Sequence, residues 1–113
     1  MFEIKKSRTF TREVSFQLPV DGGFEKQTIT ARFKLQDAEF TESFDHSGGG
    51  AAGKGVREFL AETITSIEGV VDENKEPLPY NDELRDLVLA NYAACGALHI
   101  EYMTAITKVK AGN

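Results

Sequence analysis

The stretch "REVSFQLPVDGGFEKQTITARFKL", Arg12–Leu35, decides how this chain folds. Val14, Phe16 and Leu18 alternate with Glu13, Ser15 and Gln17. Residues two apart share a face of an extended chain, so the spacing predicts a half-buried strand. Thr28–Leu35 repeats the pattern through Ile29, Ala31, Phe33 and Leu35. Between the two, "PVDGGFEK" supplies Pro19 and the Asp21-Gly22-Gly23 turn, which predicts a β-hairpin with a loop longer than the two-residue minimum. Upstream, "FEIKKSRTF" carries enough Phe, Ile and Thr for a further strand.

After Leu35 the period changes. Phe40 and Phe44 are four apart in an acidic segment, which predicts a short helix, and a glycine-rich stretch follows. Val56, Phe59, Leu60, Ile64 and Ile67 then mark one stripe of an amphipathic helix closing near Gly69. The loop "VVDENKEPLPYND" ends in Asp82 and Glu83, acids suited to the positive first turn of a helix. That helix carries Leu84, Leu87, Val88 and Tyr92 into the small patch Ala93–Ala97, where Gly96 marks a bend, a close crossing or a break. A last stripe runs through Leu98, Tyr102, Met103 and Ile106, with Lys108 and Lys110 where a helix C-terminus favours cations.

The expected fold is therefore α+β: an N-terminal antiparallel hairpin or small sheet followed by a C-terminal helical part of two to four helices. One domain spans residues 1–113, divided into a β part (1–36), a short helix with a glycine-rich linker (37–55) and a helical part (56–113).

Composition narrows the functions. With 13 basic and 18 acidic residues the net charge is -5, which repels a nucleic-acid backbone unless the cations are segregated. Lys5, Lys6, Arg8 and Arg12 do cluster, but among strand residues without a row of stacking aromatics, so a solvated sheet face is expected. No apolar run approaches a membrane span, and a soluble protein without nucleic-acid or membrane partners is expected. The single cysteine, Cys95, allows neither an internal disulfide nor a cysteine-pair zinc site.

Three chemical motifs are incomplete. From Gly48 the chain spells Gly-x-x-x-x-Gly-Lys, but Gly55 stands where a phosphate loop needs the hydroxyl that holds magnesium, so nucleotide binding remains only a remote reading. Asp72, Asn74, Glu76 and Glu83 match positions of a calcium loop, yet its turn position holds Pro77. His46 before three glycines suggests an oxyanion loop without any nucleophile turn, and His99 with Cys95, four apart on a helix, gives two ligands where zinc needs more. No catalytic residue, metal ligand or cofactor is expected.

Three segments, "IKKSRTFTREVSFQLPVDGGFEKQTITARFKL", "ITSIEGVVDENKEPLPYNDEL" and "LHIEYMTAITKVKAGN", together resemble the tail assembly chaperones of long-tailed phages and prophages. The most specific element is "EGVVDENKEPLPY", Glu68–Tyr80. The resemblance implies a non-catalytic protein of the host cytoplasm that binds the phage tape-measure protein, helps recruit tail-tube protein and is absent from the mature virion. A minor structural tail or virion component is the alternative. The residues expected to carry binding are Tyr92, Leu98, Tyr102, Met103 and Ile106, since aromatics and methionine make adaptable apolar contacts, although the same stripe could equally be core. The hairpin edge offers a second surface, for self-association as a homo-oligomer.

Overall fold

In a computed structural model, which describes residues 1–4, 7–47 and 53–107, the hairpin is the frame of the molecule. Strands β1 (Thr9–Val20) and β2 (Gly23–Lys34) pair antiparallel along their whole length, from Thr9 opposite Lys34 to Val20 opposite Gly23. The turn has two residues, Asp21 and Gly22, rather than the longer loop expected. Gly22 sits at φ 85°, which only a residue without Cβ adopts freely. Pro19 does not end the strand. β1 is an edge strand, where a residue lacking an N–H is tolerated, so the ladder runs through Pro19 instead of stopping there.

The segment before the hairpin adds no separate strand among the described residues. Thr9 and Phe10 extend β1, Met1–Ile4 are non-strand, and Lys5 and Lys6 lie outside the described residues.

Helix α1 (Ala38–Glu42) is capped by Asp37, whose Oδ1 accepts the Phe40 N–H at 2.8 Å, and it pairs the Phe40 and Phe44 rings at 5.1 Å. Gly48–Ala52, the heart of the glycine-rich stretch, lie outside the described residues. Gly53 is the N-cap of α2 (Lys54–Thr63), so Lys54 opens a helix.

The expected helix from Val56 to Ile67 is cut short. It ends at Thr63, and Ile64–Glu68 form β3, which joins the free side of β2 to complete an antiparallel sheet in the order β1-β2-β3. Ile64 pairs with Phe33 and Ile67 with Ala31, and the register shifts between them. That bulge puts two isoleucines three residues apart on one face, a spacing that reads as helical in the sequence. The β-branched run Thr63-Ile64-Thr65, followed by Ser66-Ile67, favours the strand.

Helix α3 (Asp82–Leu89) is capped by Asn81 and α4 (Tyr92–Ile106) by Asn91, through side-chain oxygens that accept the N–H groups of Leu84 (2.7 Å) and Ala94 (3.0 Å). The break in the last helical stretch therefore falls at Ala90-Asn91, while Gly96 lies within an unbroken α4. Lys108 and Lys110 lie outside the described residues.

The helices cover one face of the sheet. Val14, Ile29, Ala31, Phe33, Val56, Phe59, Leu60, Ile64, Ile67, Leu89, Cys95, Leu98 and Tyr102 form a single buried cluster. The opposite face presents Thr11, Thr30, Arg32, Ser66 and Glu68, the polar half of the alternation. The architecture is α+β, as the order of patterns implies.

Candidate interaction surface

Helix α4 is apolar around its whole circumference: of the fifteen residues in YAACGALHIEYMTAI, Glu101 alone carries a full charge. Among the described residues only one side is covered. Ala94, Cys95, Leu98 and Tyr102 enter the core, while Tyr92 and Ile100 are each 66% exposed. A helix apolar on all sides is ordinarily buried on all sides, so the outer flank of α4 is a candidate contact surface.

The five residues singled out in the sequence do not share that surface. Leu98 and Tyr102 are fully buried, Tyr92 is exposed, and Met103 and Ile106 are half-buried against the core. Tyr102 is the hub of an aromatic cluster, 5.6 Å from Phe10, 5.5 Å from Phe33 and 5.3 Å from Phe59, between ring centroids. Its Oη accepts the Gln36 N–H at 3.0 Å, and burial pushes its hydroxyl pKa up. These are the marks of a residue that holds α4 to the hairpin. Ile100, which the sequence reading passed over, is the better contact residue. No periodic signal marks it, because α4 has no polar face to set against an apolar one.

Helix α4 lies along β1, and Glu101 meets Arg12 at 3.8 Å on their shared margin. Both side chains are more than a third exposed, so the pair positions rather than stabilises. Arg8 donates to the Glu3 carbonyl. Two members of the basic cluster are thus engaged within the chain. Among the described residues β1 has no partner along its outer, twelve-residue edge, and Val20 and Phe24 are exposed at the hairpin tip.

The incomplete motifs resolve into structural roles. Asp72 Oδ1 accepts the N–H groups of Asn74 (2.8 Å) and Glu76 (3.0 Å), and Lys75 takes a left-handed φ of 64° within that turn. A β-bridge between Val71 and Pro77 closes it. The acid therefore organises its own loop. Gly55 is a packing glycine: a Cβ there would lie 2.1 Å from the Asp45 carbonyl oxygen. Cys95 is buried, which raises its thiol pKa to about 11. Among the described residues no group of three or more His, Cys, Asp and Glu side chains could hold a metal ion. No described helix is long and apolar enough to cross a membrane.

One juxtaposition was invisible in the sequence. His46, after α1, and His99, in α4, meet across 53 residues with Nδ1 and Nε2 2.9 Å apart.

No family model matches this chain, nor does any curated protein or solved structure.

Proposed function

We propose that this chain is a phage tail assembly chaperone, a non-catalytic protein of the host cytoplasm that binds the tape-measure protein during tail assembly and leaves before the virion is complete. One observation carries the reading beyond the sequence resemblance: α4 is apolar on every side, yet Tyr92 and Ile100 stand exposed. A tape-measure chain presents long apolar helical surfaces until the tube covers them. A second apolar helix laid along the outer flank of α4 would mask such a surface by side-to-side helix packing. The acidic balance of the chain keeps the resulting complex soluble.

The test is co-expression with the tape-measure protein encoded nearby, followed by copurification and a solubility assay. Copurification that is lost in Ile100→Asp but retained in Glu101→Gln is expected. An insoluble tape-measure protein despite abundant, folded chaperone would refute the reading. The free edge of β1 favours a second reading, a minor structural tail component assembled by strand addition. That reading requires the chain in purified virions, where a chaperone is absent.

A further inference from the structure

We propose that the His46–His99 contact is a proton-operated latch, which holds the segment after α1 against α4 until both imidazoles are charged. The argument begins with the proton count. His46 Nε2 lies 2.7 Å from the Thr41 carbonyl oxygen, which can only accept, so Nε2 carries the His46 proton. In the neutral pair His46 Nδ1 is consequently bare. It accepts from Nε2–H of His99, 2.9 Å away, and this fixes the His99 tautomer with Nδ1 bare.

The first added proton fits this arrangement. Whichever ring carries it, one of the two facing nitrogens still donates and the other accepts. The second proton does not fit. With both rings charged, His46 Nδ1 and His99 Nε2 each carry a hydrogen, and one N–H is set against another. The bond persists with no added proton and with one, and is lost with two.

The surroundings favour neutrality at His99. His99 is half-buried, which lowers its pKa below the ordinary 6.5, and the charge of His46 lowers it further. Asp45, beside His46 in sequence, is coupled to it, although the Asp45 carboxylate is turned to Ser47, accepting from both its N–H (2.9 Å) and its hydroxyl (2.6 Å). On α4 Cys95 lies one turn from His99 and is protonated, and the field of Arg57, on α2, reaches Cys95. Because the folded pKa of His99 lies below its unfolded value, the stability that comes from its neutral form is complete above about pH 6.5 and is lost as pH falls through the folded value, and the bond itself breaks only once both rings are charged.

The latch has a defined load. The His46 ring stands edge-on to Phe59 at 4.8 Å, and the adjacent Asp45 carbonyl rests against Gly55. Opening lifts residues 45–47 from α2 and α4 and uncovers the edge of Phe59, while Phe40 and Phe44 keep α1 in place through their own contacts with that ring.

Proton and ring-nitrogen NMR of the whole chain at pH 7 and pH 5 tests this. The ring-current shift that His46 imposes on the Phe59 ring, 4.8 Å away, is expected to be present at pH 7 and lost at pH 5, while the Phe33 ring is unchanged. His99→Gln should abolish the pH response, because a glutamine amide turns its oxygen or its nitrogen to suit either state of His46. His46→Ala should lack the shift at both pH values. Equal Phe59 resonances of the unaltered chain at pH 7 and pH 5, a response of His99→Gln as large as the unaltered chain's, a response that persists in His46→Ala, or a neutral His99 protonated at Nδ1 would each overturn the latch.

Discussion

Replacing Gly55 with alanine tests the packing of the segment after α1 by the sign of its effect. Within a helix the change normally stabilises by about 1 kcal/mol, because alanine loses less backbone entropy. Here the new Cβ would lie 2.1 Å from the Asp45 carbonyl oxygen and 2.9 Å from its carbon, where ordinary contact begins at 3.4 Å. The obstacle is backbone, so no side-chain rotation relieves it. Residues 45–47 must retreat by roughly an ångström, an overpacking displacement of the kind that disrupts local contacts.

Three interactions depend on that position: the hydrogen bonds of His46 to Thr41 and to His99, and its edge contact with Phe59. At about 1 kcal/mol each they outweigh the helix-propensity gain by about 2 kcal/mol. Gly55→Ala should therefore destabilise by about 2 kcal/mol and lower Tm by roughly 8 °C. Urea denaturation at pH 7 measures the first and a thermal scan the second. Gly23→Ala is the control, since nothing lies within 4 Å of a Cβ there and φ is not left-handed. Unchanged or increased stability of Gly55→Ala would refute the close packing of residues 45–47 on α2.

Tyr102→Phe keeps the aromatic cluster but leaves the Gln36 N–H without its acceptor, and should cost about 1–2 kcal/mol in urea denaturation. Leu98→Ala should cost about 2–5 kcal/mol, because the side chain is fully buried, whereas Ile100→Asp should stay within about 0.5 kcal/mol and abolish partner capture instead. The reverse ranking in thermal melts would place the wrong side of α4 in the core. Cys95 should resist thiol reagents at pH 8 until the chain unfolds, since a buried thiol with a pKa of about 11 is about one part in a thousand thiolate there. Rapid stoichiometric labelling under native conditions would contradict that burial.

Sequence alone determined what depends on local periodicity and caps. The alternation through Val14–Leu18 and Thr28–Leu35 gave the hairpin, because a half-buried strand must repeat every two residues. The four-residue spacing of Phe40 and Phe44 gave α1, and Asp82-Glu83 marked the start of α3. What depended on partners distant in sequence was hidden. The strand at Ile64–Glu68 exists because β2 offers a free side and a bulge turns a three-residue spacing onto one face. The burial of Leu98 and Tyr102 and the exposure of Ile100 follow from how α4 rolls on β1, which no helical stripe can specify when every side of the helix is apolar. The meeting of His46 with His99 likewise needed the fold, because a hydrogen bond across 53 residues leaves no period in the sequence.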